Sequence, residues 1–151
     1  MKERARILVV DDDESVRRTF SAILEESGYI VDTAESGKEA IEKSQKNFYN
    51  VALVDIRLLD MEGTKLLATM KETTPKMVKI VITGYPTLQN AVDAVNMGAD
   101  AYVLKPPNIN ELLNTIKESL QKQEEEKSYS EEKVAEFIQR RVREIEKEKP
   151  K

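Results

Sequence analysis

Five short apolar runs, each followed by a longer amphipathic stretch, are the feature that most constrains this chain of 151 residues. This alternation is typical of βα units that build a parallel sheet covered by helices on both faces. The predicted strands are 6–10, 29–34, 51–54, 78–82 and 101–104. The predicted helices cover about 14–27, 36–46, 63–73, 86–98 and 109–120. The pattern predicts an α/β domain with a doubly wound, five-stranded parallel sheet.

A different composition follows this domain. We divide the chain into a folded domain at 1–121 and a segment at 122–151, made of a charged linker and an amphipathic C-terminal helix. Ser128 or Ser130 is a candidate cap for that extra helix. Its apolar stripe, which includes Val134 and Ile138, suits a dimerising coiled coil, a flap on the domain, or a linker to another element.

The chain has no cysteine and no histidine. Thiolate chemistry, disulfides, histidine-based triads and the usual zinc sites are therefore excluded, and the lack of cysteine fits a cytoplasmic location. Any chemistry must use carboxylates, hydroxyls, lysines and backbone groups. No apolar run approaches the ~20 residues of a membrane helix, so no membrane contact is expected.

Charge gives no sign of nucleic-acid binding. Residues 1–120 contain 19 acidic and 15 basic side chains, and residues 121–151 contain nine of each. Arg140, Arg141 and Arg143 alternate with glutamates, which is typical of a solvated helix face. No direct contact with a nucleic acid is therefore expected.

Polar side chains follow four of the five predicted strands. They are Asp11, Asp12 and Asp13 after strand one, Asp55 after strand three, Thr83 and Gly84 after strand four, and Lys105 and Pro106 after strand five. With strand order 2-1-3-4-5, strands one and three are neighbours and their carboxyl ends form one pocket. Taken alone, the three consecutive aspartates would equally suit a helix cap.

Together, Asp11, Asp12 and Asp55 would repel one another unless a cation lay between them. Mg²⁺ suits a site of carboxylates, a carbonyl, waters and phosphate oxygens, and Mn²⁺ is an alternative. Lys105 adds an ammonium that can pair with Asp55 or with a phosphoryl oxygen. Since carboxylates form aspartyl phosphates, Asp55 is the best-placed nucleophile, with Thr83 and nearby backbone N–H groups binding the transferred group.

The motifs ILVVDDD, VDIRLLDMEG, VITGYP and AYVLKP resemble, in this order, those of the receiver domain of two-component response regulators. The resemblance covers about residues 5–120 and implies a flavodoxin-like fold. It also implies a signalling phosphoprotein of a phosphorelay, not an enzyme with turnover. The phosphoryl donor would be a phosphohistidine of a sensor histidine kinase or a histidine phosphotransfer protein.

By this resemblance Asp55 is the phosphoacceptor and binds Mg²⁺ directly together with Asp12. Asp11 would act through a bound water, and Arg57 would supply its backbone carbonyl to the metal. Lys105 would assist transfer and bind the phosphoryl group.

The resemblance further implies that Thr83 and Gly84 bind the phosphoryl group and that Thr83 and Tyr102 form a switch pair. Taken alone, an aromatic residue on a strand is as readily explained by packing. Phosphorylation would alter the face made by helix four, strand five and helix five, and a homodimer could form there or through the C-terminal helix.

Three further points follow from the resemblance. The Lys105–Pro106 bond is expected to be cis. Leu59 stands where the family usually has proline, and Pro107 replaces a common aromatic residue.

Three other functions fit parts of the pattern. A haloacid-dehalogenase-type phosphatase would usually have a second carboxylate two residues after its nucleophile, where this chain has Arg57. A flavin or nucleotide binder would need a glycine-rich loop after strand one. A pseudo-receiver scaffold would not need the acidic set and Lys105.

Overall fold

In the computed structural model the βα units form one parallel sheet with strand order β2-β1-β3-β4-β5, which confirms the predicted fold. The structure describes residues 4–70, 73, 75–84 and 86–148. The strands are β1 Arg6–Val10, β2 Ile30–Ala34, β3 Val51–Asp55, β4 Val78–Thr83 and β5 Ala101–Leu104. The helices are α1 Glu14–Glu26, α2 Gly37–Lys46, α3 Gly63–Thr69, α4 Leu88–Asn96 and α5 Ile109–Glu148.

The core consists of two layers on opposite faces of the sheet. Successive strand side chains point to opposite faces, so Val54 packs with α2, α3 and α4 while Leu53 packs with α1 and α5. All five residues of β3 are buried. A central strand buried on both faces explains why its sequence is apolar up to Asp55.

Helix boundaries follow local capping. Ser36 caps α2 through the N–H of Glu39 at 3.1 Å, and Thr87 caps α4 through the N–H of Asn90 at 3.0 Å. Because Thr87 is the cap, α4 begins after Pro86 rather than at it. The backbone becomes extended at Met70, so α3 is shorter than predicted.

The C-terminal segment is helical as predicted, but it continues α5 and is not a separate helix. The predicted linker around Ser128 and Ser130 lies within this single helix of 40 residues. Its glutamates and lysines are good helix formers, and a serine at an exposed helical position costs only a fraction of 1 kcal/mol. The domain division after residue 121 stays a prediction. In the part of the chain that the structure describes, no helix is long and apolar enough to cross a membrane.

Gln123 fixes α5 to the amino edge of the sheet. Its amide nitrogen donates to the carbonyls of Asn50 at 3.0 Å and Lys76 at 2.8 Å, and its oxygen accepts from the side-chain amide of Asn50 at 3.0 Å. Asn50 in turn accepts from the N–H of Arg6 at 2.9 Å. The helix is thus anchored at its last buried position before residues 124–147, which are exposed.

Candidate phosphoacceptor site

The predicted site residues come together at the carboxyl edge of the sheet. Asp55 is the last residue of β3 and Thr83 the last of β4, while Asp11 and Lys105 directly follow β1 and β5. Asp11 is 3% exposed and Asp55 is 8% exposed. The sheet order therefore buries two carboxylates that are distant in sequence beside each other.

Lys105 bridges these two carboxylates. Its Nζ lies 2.7 Å from Asp11 Oδ2 and 3.3 Å from Asp55 Oδ2. The sequence predicted a pair with Asp55, whereas the shorter contact is with Asp11. The other Asp55 oxygen, Oδ1, accepts the backbone N–H of Arg57 at 3.2 Å.

Asp12 completes a group of three carboxylates. One oxygen each from Asp11, Asp12 and Asp55 lies within 4.8 Å of the others. Asp12 is partly exposed, so the group opens to solvent on its side. Three convergent carboxylate oxygens fit a hard divalent cation such as Mg²⁺, which prefers oxygen ligands and retains several waters.

The charge balance of the site is strained. Burial raises the pKa of Asp55, and the charge of Asp11 adds to this effect, while the Arg57 N–H and the charge of Lys105 oppose it. Burial alone would lower the pKa of Lys105, but its hydrogen bond to Asp11 and the charges of Asp11 and Asp55 raise it. Lys105 is therefore held as a cation beside a carboxylate that is costly to ionise.

In the β1–α1 loop, the residue that caps α1 differs from the residues that belong to the carboxylate group. Asp13 caps α1 by accepting the N–H of Val16 at 3.2 Å, so only this one of the three aspartates caps the helix. Asp11 Oδ1 accepts the N–H of Asp13 at 2.9 Å. Arg17, which the sequence analysis did not select, donates to the Asp11 carbonyl at 2.8 Å and fixes this loop from α1.

The β3–α3 loop is fixed by Gly63, another residue that the sequence analysis did not assign to the site. Its N–H donates to the Ile56 carbonyl at 2.7 Å. A Cβ at this position would lie 2.4 Å from the Asp55 carbonyl oxygen and 2.7 Å from Ile56 Cα. Only glycine permits this approach of α3 to the end of β3.

The same loop contacts α2 through Asp60. Its two carboxylate oxygens accept the N–H groups of Gly37 at 2.9 Å and Lys38 at 3.0 Å. These bonds lower the pKa of Asp60. The positive end of the α2 dipole thus anchors the loop that follows Asp55. Its sequence signal was only an aspartate in a loop, which does not identify the partner helix.

The proposed phosphoryl-binding side of the site contains Thr83 and Gly84. Thr83 is fully buried, and its carbonyl accepts the N–H of Lys105 at 2.8 Å. Gly84 is exposed, and a Cβ there would only reach ordinary contact with Lys105 Cβ, at 3.8 Å. The β4 and β5 ends are therefore joined directly beside Asp55.

Tyr102, the predicted switch aromatic, lies on β5 and packs against the layer formed with α2, α3 and α4. Its hydroxyl is buried without a hydrogen-bond partner among the described residues, and burial raises the pKa of the phenol. A buried hydroxyl without a partner is costly.

The remaining sequence predictions concern the rim of the site. The Lys105–Pro106 bond is cis, as predicted. Pro106 and Pro107 line a cleft of about 470 Å³ with Val16 and Phe20 of α1, beside Lys105. Leu59, in the loop that follows Asp55, is 91% exposed. These apolar surfaces next to the acidic group suit contact with another protein.

Comparison with known proteins decides the family. The family model for the response regulator receiver domain matches residues 7–117. The chain belongs to this receiver domain family. It is thus a regulatory receiver of two-component signalling.

Named relatives agree with this assignment. The chain is 36% identical over 118 residues to the transcriptional regulatory protein ZraR of Klebsiella oxytoca, a match that covers 78% of this chain and 27% of ZraR. It is 36% identical to the alginate biosynthesis transcriptional regulatory protein AlgB of Pseudomonas syringae pv. tomato, covering 70% of this chain and 23% of AlgB. The chain thus spans about a quarter of the curated relatives it matches.

Solved structures show the same fold. A CheY-like receiver domain protein from Methanospirillum hungatei JF-1 is 47% identical, with a TM-score of 0.79 and coverage of 82% of this chain and 99% of that one. The beryllofluoride-activated NtrC4 receiver domain dimer is 40% identical, with a TM-score of 0.72 and coverage of 78% and 98%. The second of these is an assembly of two receivers, as its name states.

Proposed function

We propose that the chain is a phosphorylation-controlled switch in which Asp55 accepts a phosphoryl group in a Mg²⁺-dependent reaction. The observation that carries the proposal is the convergence of Asp11, Asp12 and Asp55 beside Lys105 at one edge of the sheet. The donor is the phosphohistidine of a sensor histidine kinase or a histidine phosphotransfer protein, because this chain has no histidine. With such a donor the chain acts in the cytoplasm.

In the transfer step an Asp55 carboxylate oxygen forms a bond to phosphorus while the bond from phosphorus to the donor imidazole nitrogen breaks. The nitrogen leaves with the electron pair and takes up a proton, and Asp55 becomes a mixed carboxylic–phosphoric anhydride. Lys105, already placed 3.3 Å from Asp55, stays protonated and pairs with a phosphoryl oxygen. Thr83 and the Gly84 backbone are proposed to bind the other oxygens.

Asp12 and Asp55 are proposed as direct ligands of Mg²⁺, Asp11 as a ligand through water, and the Arg57 carbonyl as a further ligand. The cation, or Mn²⁺ in its place, supplies charge neutralisation for the carboxylates and the transferred group. Arg57 in place of a second carboxylate argues against turnover of small phosphoesters. We therefore expect only self-catalysed phosphotransfer and slow autodephosphorylation.

The proposed output surface is the face of α4, β5 and α5. Leu88 is 83% exposed, Val95 is 66% exposed and Leu104 is 52% exposed on this face. Tyr102 lies on β5 behind it, and we propose that Thr83 and Tyr102 shift together when Asp55 is phosphorylated. Partner binding or self-association then changes, through this face or through the C-terminal part of α5. The NtrC4 receiver dimer supports self-association.

The chemistry is tested by intact mass after incubation with acetyl phosphate or phosphoramidate and Mg²⁺. Wild type should gain one hydroxylamine-labile phosphoryl group, and Asp55→Asn should gain none. Asp13→Asn is a matched control because asparagine also caps helices and Asp13 lies outside the carboxylate group. An unmodified wild type would overturn the proposal, and continuous phosphate release at enzyme-like rates would support a phosphatase instead.

The output surface is tested by light scattering with and without beryllofluoride. Phosphoryl mimicry should change the average mass of wild type. Val95→Glu should weaken that change, whereas Ala22→Glu, an equally charged change at an exposed position of α1, should retain it. An equal change in average mass for the two variants would show that this face is not the output surface.

A further inference from the structure

We propose that two copies of this chain pair through residues 124–148 of α5, which we call the extension, in an antiparallel arrangement. In this pair the C-terminal end of each extension seats against the partner's receiver domain. The inference rests on the self-association part of the proposed function alone and needs no phosphorylation of Asp55.

The first observation is the direction of the apolar stripe. Ile116 contacts the sheet, and Val134 follows it by five full turns at 3.6 residues per turn, so both lie on the same side of α5. Ile138 and Ile145 lie within about 40° of that side. All three extension residues are exposed, at 58%, 54% and 48% respectively. The stripe therefore points to the side on which the chain's own receiver domain lies.

This direction discriminates between two kinds of pair. In a parallel pair the two-fold axis would run along the stripe, and each receiver would occupy the space of the other. In an antiparallel pair the receivers lie at opposite ends of the paired helices and do not meet. Gln123 fixes the helix to the sheet directly before the extension, which keeps the stripe in this direction.

The second observation is a groove between the receiver domain and the chain's own extension. It has a volume of about 760 Å³ and lies between Thr73 and Pro75 on one side and Val134 and Ile138 on the other. When the two extensions overlap over their whole length, Val142 of one copy lies opposite Ser130 of the other, which also lines this groove. The groove thus receives Val142 and Ile145 of the partner, which are half exposed in the single chain.

The third observation is charge. Residues 124–132 contain five glutamates and one lysine, whereas Arg140, Arg141 and Arg143 lie nearer the C-terminus. A parallel pair in register would place the glutamates of the two copies beside each other. The antiparallel overlap instead places the arginine-rich stretch of one copy alongside the glutamate-rich stretch of the other.

Association is tested by light scattering of the full chain. Wild type should be a dimer, and Ile138→Glu should weaken association by about a hundredfold because it places a charge in the apolar seam. Gln139→Glu adds the same charge on the other side of the helix and should leave the dimer intact. A monomeric wild type, or equal weakening by both variants, would overturn the proposal. A urea-unfolding midpoint like that of wild type serves as the check that each variant is folded.

Orientation is tested with spin labels, since the wild-type chain has no cysteine. Glu125→Cys and Lys147→Cys introduce exposed labelling sites about 33 Å apart along a straight helix. An antiparallel dimer should give a long distance for each variant alone and a short one between differently labelled copies. Short distances for each variant alone would establish a parallel pair and refute the inference. Loss of the Asp55 adduct would refute the phosphoacceptor proposal and leave this one standing.

Discussion

At the amino edge of the sheet, Gln123 and Asn50 satisfy each other and the neighbouring carbonyls, whereas at the carboxyl edge three aspartates crowd beside Lys105. The first group is neutral, and each side-chain nitrogen and oxygen of Gln123 and Asn50 has a hydrogen-bond partner. The second contains a carboxyl group whose pKa is raised by burial. The difference indicates that the amino edge contributes to stability, whereas the carboxyl edge is less stable at the place where we propose that a cation and a phosphoryl group bind.

At the carboxyl edge, we expect Gly63→Ala to cause the largest loss of stability. Its new Cβ would meet backbone atoms of Asp55 and Ile56, which have little freedom to move. We expect a loss of about 3 kcal/mol in unfolding free energy and slower phosphorylation of Asp55. Urea unfolding and the rate of adduct formation measure the two effects.

Gly84→Ala is the control for this change, because its Cβ makes only an ordinary contact with Lys105. It should change stability by less than about 0.5 kcal/mol. Similar losses for both glycines would contradict the explanation by close approach.

The amino edge should respond to Gln123→Leu. The substitution leaves the Asn50 side-chain amide and the Lys76 carbonyl without their present partner, at a cost of about 2 kcal/mol. Gln121→Leu makes the same chemical change at an exposed position of α5 and should be nearly neutral. Urea unfolding of both variants compares them, and a neutral Gln123→Leu would show that the network adds nothing to stability.

At the carboxyl edge, Asp55→Asn in metal-free buffer should instead increase the free energy of unfolding. A folded-state pKa above the ordinary value means that ionisation of Asp55 costs stability. That cost is absent below the ordinary pKa and complete above the raised one. At pH 7 the variant should therefore be more stable than wild type, with the difference vanishing in acid.

Thermal unfolding from pH 3 to pH 8 with a chelator checks this prediction. A variant that is less stable than wild type at neutral pH would show that the pair with Lys105 outweighs the burial of the carboxylate.

We expect the smallest effect from the titration of Asp60, which accepts N–H groups at the N-terminus of α2. Its lowered pKa means that its support of the α2 terminus is present above the ordinary aspartate pKa and is lost as pH falls through the lowered value. The amide resonances of Gly37 and Lys38 should titrate together, with a midpoint below that of an ordinary aspartate. Asp60→Asn should abolish this titration, and its persistence in that variant would assign the midpoint to another group.

Much of the site was predictable because it depends on strand order. Once the strands were placed, Asp11, Asp55, Thr83 and Lys105 had to meet at one edge. The roles of Gly63, Asp60 and Gln123 were not predictable in this way. Each depends on a distance between segments far apart in the sequence, such as Asp60 to Gly37 or Gln123 to Asn50.

The continuity of α5 was missed for a local reason. Ser128 and Ser130 are good caps, but they end a helix only where the backbone leaves helical geometry. The neighbouring glutamates and lysines keep that stretch helical, so the serines remain inside α5. Asp13 and Ser36 cap the starts of α1 and α2, whereas residues of the same kind at 128 and 130 gave a false boundary.

The unbroken helix also has a mechanical consequence. From Gln123 to Glu148 it projects about 37 Å beyond its last anchor at 1.5 Å per residue. A rigid rod of that length converts a tilt of about 5° at the receiver into a displacement of about 3 Å at its tip. A small rearrangement around β5 would thus be amplified with distance, so that the end of α5 would move further than the part anchored to the sheet.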